Sequence, residues 1–196
     1  MRKLVFVFVV FLFATLAAQA QLDVAFGLGT ANGPSGSSAT GNYAPQNIGG
    51  GAYINFSGDY IFWHNFGVGG QIAWRASQNL WGGQVGYRPI FYDFNGVFAP
   101  RFSKYAGVEL QGGIGAENVH FYTGNVTCSA FSGCSNYQSS NHFMGHIGGG
   151  LRLYAKGNFF IRPEAHVYFV RNNFEFSGPR VTRYGVSLGY TFGEPK

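Results

Sequence analysis

Val181-Thr182-Arg183-Tyr184-Gly185-Val186-Ser187-Leu188-Gly189-Tyr190-Thr191-Phe192 alternates large apolar side chains with small or polar ones. Successive side chains of a β-strand point to opposite sides, so Tyr184, Val186, Leu188, Tyr190 and Phe192 share one face and Arg183, Gly185, Ser187 and Gly189 the other. Both faces lack the lysines and glutamates that a strand edge in water would carry. This strand wants an apolar surrounding on one side and a narrow, filled space on the other.

The same pattern runs back through the chain. Phe159 to Val170 sets Ile161, Ala165, Val167 and Phe169 against Arg162, Glu164 and His166, and His142 to Tyr154 sets Phe143, Ile147, Leu151 and Leu153 against His146, Gly148 and Arg152. Tyr105 to Glu117 opposes Val108, Leu110 and Ile114 to Glu109 and Gln111. Leu80 to Phe91 opposes Trp81, Val85 and Tyr87 to Gln84, Gly86 and Arg88. Phe66 to Ala76, Ile48 to Ser57 and a first strand through Leu22, Val24, Phe26 and Leu28 complete eight strands. The expected fold is all-β: an eight-stranded antiparallel up-and-down transmembrane β-barrel, with the even strand count of single-chain bacterial barrels.

Composition agrees. Only 11% of residues are charged while 18% are aromatic and 31 are glycine, against about 25% charged in soluble domains. The N-terminus, Met1-Arg2-Lys3 followed by the apolar run Leu4 to Leu16 and Ala18-Gln19-Ala20, has the basic, hydrophobic and small-x-small parts of a cleavable signal peptide. Residues 1–20 are therefore expected to be a leader and 21–196 the barrel, exported to the cell outer membrane. With the N-terminus periplasmic, the connections 31–47, 77–80, 118–141 and 171–180 face outward, and 58–65 and 93–104 face inward, long for turns unless the strands extend into them.

Alternation alone does not say which face is in. The small, polar second face suits a lumen, and its charges, Arg75, Arg88, Glu109, Arg152, Arg162, Glu164 and Arg183 with His146 and His166, then need one another. Glu109 and Glu164 are expected between arginines of neighbouring strands, because buried charge survives only when paired. Pro89 and Pro163 are expected near the periplasmic rim. Cys128 and Cys134, in an outward connection of an exported chain, are expected to form a disulfide.

In this pattern, and most of all in the closing strand ending Tyr190-Thr191-Phe192, the chain resembles the small outer-membrane barrels related to the transmembrane domain of OmpA-type proteins. The resemblance implies that Tyr184, Tyr190 and Phe192 belong to the C-terminal signal read by the barrel-assembly machinery, although Gly193-Glu194-Pro195-Lys196 follow where the family ends on the aromatic. No peptidoglycan-binding domain follows, so a tethering role does not carry over.

Sites of chemistry are sparse. His142 and His146 lie four residues apart, about 13 Å along a strand, too far to share a metal ion. His64 and His120 read as interfacial anchors. Phosphate-loop, dinucleotide and Cys-x-x-Cys motifs are absent, and the His-x-Ser pair of barrels resembling lipid A deacylases does not occur. The expected function is a non-enzymatic structural or surface-interaction barrel, monomeric and without cofactor, in contact with outer-membrane lipid and an unknown surface partner but no nucleic acid. A narrow pore or ligand-binding barrel is the alternative, and a membrane-embedded hydrolase, which needs a nucleophile beside a rim histidine, comes third.

Overall fold

The computed structural model describes residues 21–34, 46–129 and 133–193; the leader assigned to 1–20, most of the 31–47 connection and the tip of 118–141 lie outside them. Among the described residues nine strands form: β1 Gln21–Asn32, β2 Tyr53–Trp63, β3 Phe66–Arg75, β4 Asn79–Trp81, β5 Val85–Phe98, β6 Ala106–Ser129, β7 Gly133–Lys156, β8 Phe159–Val170 and β9 Arg180–Phe192. All ladders between these strands are antiparallel. β1 pairs with β9, and β3 with β5, so eight long strands close into a ring, while the three-residue β4 only doubles back on the outer end of β5.

The segment Leu80 to Phe91 is thus two strands. Gly82 and Gly83 take φ of +59° and +75°, which glycine tolerates without steric cost, and they fold Trp81 back onto Val85. The inward connections are mostly strand: β2 runs to Trp63 and β5 to Phe98. His64 and Asn65, both at positive φ, form the two-residue turn between β2 and β3. The largest departure is 118–141, whose described residues belong to strands rather than to a loop. β6 and β7 stay paired to Tyr122 opposite Tyr137 and, past an irregular stretch, pair again from Thr127 opposite Ser135 to Ser129 opposite Gly133; Val119, Phe121, Tyr122 and Tyr137 keep strand character among the serines and asparagines that suggested a loop.

The outer wall exposes Leu22, Phe26, Leu28, Phe94, Ile114, Ile147, Leu151 and Leu188, each more than 40% accessible. Aromatic rings collect at the periplasmic end, where Phe66 lies 4.6 Å from Phe98 and Tyr190 lies 4.7 Å from both Phe159 and Phe192. This is the girdle that anchors a barrel at an interface.

One strand faces the other way from the expected phase. Tyr87 and Phe91 of β5 are fully buried in the lumen, and Arg88, expected there, is half-buried on the outer side, its Nη2 donating to Ala76 O at 3.4 Å. The two faces of 80–91 were paired correctly, but the outer half of this lumen is filled by rings, so the apolar face turns in. Pro89 sits in the outer half of β5, not at the periplasmic rim. The β3–β5 ladder ends at Ile90 and the β4–β5 ladder begins at Tyr87, so its missing donor falls in a gap.

Candidate functional site

The lumen is built in layers. At its outer end Ile48, Tyr53, Tyr87, Phe91, Tyr168 and Phe176 pack together with Met144 and Val119. Phe91 stacks on Tyr168 at 4.8 Å and 5°, and Phe176, from the β8–β9 connection, closes over Tyr87 at 5.2 Å. Below, His146 and His166 meet Nε2 to Nδ1 at 2.9 Å, with rings 5.1 Å apart. A Cβ at Gly148 would lie 2.2 Å from His166 Nδ1, so the glycine makes room for this pair.

The middle layer is ionic. Glu109 accepts from Arg152 Nε at 2.5 Å and from Arg162 Nη1. Glu164 accepts from Arg162 Nε at 2.8 Å and lies 3.0 Å from Arg183 Nη1 and 3.6 Å from His166 Nε2. Arg162 also donates to Ser57 Oγ at 2.9 Å, and Arg183 Nε to the Tyr168 hydroxyl at 3.2 Å. Two members were not expected: Asp23, paired with Arg152, and Asp59, 3.6 Å from both Arg152 and Arg162. Four carboxylates thus face three guanidinium groups. Asp93, 3.4 Å from His146 Nδ1, begins the next layer. Asp59 and Asp93 lay in segments read as connections, and following the alternation into them is the signal that finds them. Arg75 is buried at the outer mouth, apart from this network, beside Gly51.

A second cluster sits at the outer rim. Ser140 and His142, two residues apart on β7, share its inward face, and Glu175 reaches them from the β8–β9 connection. Ser140 Oγ is 2.9 Å from His142 Nε2 and donates to Glu175 Oε1 at 2.6 Å, and His142 Nε2 is 3.0 Å from Glu175 Oε2. The sequence holds this pair as Ser140-Asn141-His142, the reverse of the order sought, and nothing in its spacing points to Glu175.

Beyond the rim, β6 and β7 continue as a two-stranded arm. His120 stacks on Tyr137 at 4.2 Å, Tyr122 lies 6.1 Å from Tyr137, and Asn118 donates to Asn141 at 2.5 Å. Desolvation, helped by the neighbouring Arg88, holds the His120 imidazole below its ordinary pKa. The register sets Cys128 directly opposite Cys134. Tyr184 and Phe192 project outward from β9, more than half exposed.

No protein-family profile and no curated protein matches the sequence. Solved structures do match over nearly the whole chain. Neisserial surface protein A superposes with a TM-score of 0.60 at 7% identity, covering 89% of this chain and 97% of that one. Ail, the attachment invasion locus protein of Yersinia pestis, gives 0.58 at 15% identity, with 89% and 99% covered. The fold is that of the small OmpA-like outer-membrane barrels. A major outer membrane protein of Thermus thermophilus is also similar, at 0.56 and 11% identity, with 88% and 99% covered. At these identities the likeness is one of fold. The apolar wall of this OmpA-like barrel belongs in hydrocarbon, and transmembrane barrels of this kind belong to the bacterial outer membrane.

Proposed function

We propose that this OmpA-like barrel is a closed scaffold for surface interaction, acting through the β6–β7 arm. The observation that carries the reading is strand length. β6 and β7 have 24 residues each, whereas a tilted strand crosses a bilayer in about 9–11. Roughly half of that ladder therefore stands outside the membrane. Residues 118–141 contain no Lys, Arg, Asp or Glu, so the arm presents amides, hydroxyls and aromatic rings, a surface suited to uncharged polar partners. Beneath it the aromatic and ionic layers fill the lumen, which argues for a scaffold rather than a pore. In this reading the cysteines pin the arm, Tyr184, Tyr190 and Phe192 serve assembly, and the chain works as a monomer without cofactor. Ail, which shares this fold, has been solved with a heparin analogue, sucrose octasulfate; that polyanion needs cationic side chains that the arm here lacks, so the partner expected of this arm is an uncharged glycan.

The test is excision of residues 123–136, with Tyr122 joined to Tyr137 through an Asn-Gly turn. These two residues are opposed in register, so the shortened barrel should fold and keep its heat-modifiable gel mobility. In nanodiscs the full barrel should bind glycans or host-cell surfaces and the shortened one should not. Equal binding by both, or stepwise conductance of the intact barrel in planar bilayers, would remove the reading.

A further inference from the structure

The outer-rim cluster lies at the base of the arm, outside the segment 123–136 whose excision tests the arm's role, and its geometry asks for a role of its own. Ser140, Asn141, His142, Phe143, Arg171 and Phe174 line an open cleft of about 380 Å³ together with Asn172. His142 is 7% exposed, and its Nε2 faces both the Ser140 hydroxyl, at 2.9 Å, and Glu175 Oε2, at 3.0 Å. Tying the β8–β9 connection to β7 would need only the Ser140–Glu175 hydrogen bond. It would not need an imidazole nitrogen within 3.0 Å of both partners.

We propose that Ser140 and His142 form a nucleophile–base pair that hydrolyses carboxylic esters, with Glu175 as a positioning residue. With the His142 proton on Nδ1, the Nε2 lone pair accepts the Ser140 hydroxyl proton, and turning that hydrogen from Glu175 to His142 moves no heavy atom. Ser140 Oγ then attacks the ester carbonyl carbon. The hydroxyl oxygen gains a bond to carbon, its proton passes to His142 Nε2, and the carbonyl electron pair moves onto oxygen. Collapse of that adduct breaks the carbon–alkoxide bond, the alkoxide takes the proton from His142, and water repeats the sequence on the acyl-serine to release the acid. Glu175 Oε2 faces the nitrogen that becomes cationic. This is not the linear relay of a Ser–His–acid triad, because serine and carboxylate meet the same ring nitrogen. Asn172 lines the same cleft. Phe143 and Phe174, 56% and 77% exposed, with Arg171 beside them, select an ester with an apolar acyl part and an anionic group.

The experiment uses the folded full barrel in micelles, with heat-modifiable mobility as the folding control. It is treated with a fluorophosphonate, and modified peptides are located by mass spectrometry. Labelling at Ser140 is expected, lost in Ser140→Ala and slowed about 100-fold in His142→Asn, with Glu175→Asp retaining more than Glu175→Gln. Hydrolysis of p-nitrophenyl acyl esters should follow the same order. A folded wild-type barrel left unlabelled at Ser140, or labelled at the same rate in His142→Asn, overturns the proposal. Neither result bears on the arm, so failure here and failure of the surface-interaction reading are separable.

Discussion

Replacing Arg162 by methionine should be among the most damaging single changes in the lumen. Arg162 is 1% exposed and gives three hydrogen bonds, to Glu109, to Glu164 at 2.8 Å and to Ser57 at 2.9 Å, with Asp59 at 3.6 Å. Methionine keeps much of the stem and removes the fork. The layer then has four carboxylates against Arg152 and Arg183 alone, and Glu109 and Glu164 each keep a single arginine partner. Removing one member of a buried ion pair costs about 3–5 kcal/mol, mostly from the charge left behind. Glu109→Gln should cost less, about 1–3 kcal/mol, because it removes a charge from the side already in excess. The double variant Arg162→Met/Glu109→Leu should therefore lose less than the sum of the effects of Arg162→Met and Glu109→Leu made singly. Urea titration in lipid vesicles, read by tryptophan fluorescence and by the folded band on gels, measures all of these variants. A loss below about 1 kcal/mol for Arg162→Met, or strict additivity, would refute the claim that these charges hold one another.

Three further outcomes follow from other parts of the molecule. Peptide mapping without reductant should recover Cys128 joined to Cys134. Reduction should leave the barrel transition unchanged and speed proteolysis of the arm, since closing so short a loop contributes about 2 kcal/mol and only locally. In a proton NMR titration His120 should show a midpoint below the ordinary 6.5, with Arg88→Gln moving it up; the folded arm disfavours the charged ring, so its stability is full above 6.5 and declines as pH falls below. A midpoint at or above 6.5 contradicts the burial seen here. Gly148→Ala should destabilise by about 1–3 kcal/mol, because its Cβ would press on His166 at 2.2 Å and His146 at 2.8 Å; Gly145→Ala, with nothing within 4 Å of the added carbon, is the control that should stay near wild type.

The sequence was legible wherever one rule governed a whole strand. β8 and β9 emerge within a residue of their boundaries, because Ile161 to Phe169 and Tyr184 to Phe192 alternate without a break and keep the apolar face in lipid. Legibility ended where that rule changed sign. In the outer half of β5 the side chains in the lumen are Tyr87 and Phe91, as apolar as the Ile90 and Tyr92 that face out, so period two survives there but no longer tells inside from outside. The paired carboxylates were half visible: Glu109 and Glu164 sat in clear strands, while Asp59 and Asp93 fell in stretches whose aromatics suggested a connection. The rim cluster was out of reach, since Glu175 comes to Ser140 and His142 only through the course of the β8–β9 connection.

The layering explains how so small a barrel can hold a long arm steady. A ring of eight strands has no second sheet to pack against, so its interior must serve as its core. The ionic layer joins β1, β2, β6, β7, β8 and β9 through Asp23, Asp59, Glu109, Arg152, Arg162 and Arg183. The aromatic layer adds β5 through Tyr87 and Phe91 and draws in the connections bearing Ile48 and Phe176. β6 and β7, which carry the arm, are therefore fixed at two levels, by Glu109 with Arg152 below and by Val119 with Met144 above. A hinge at the membrane surface would need one of these levels to give way. If the lumen is the arm's footing, then Arg162→Met should loosen the arm as well as weaken the barrel, visible as faster amide exchange at Asn118 to Tyr122 under conditions where the strands β2 and β3 remain protected.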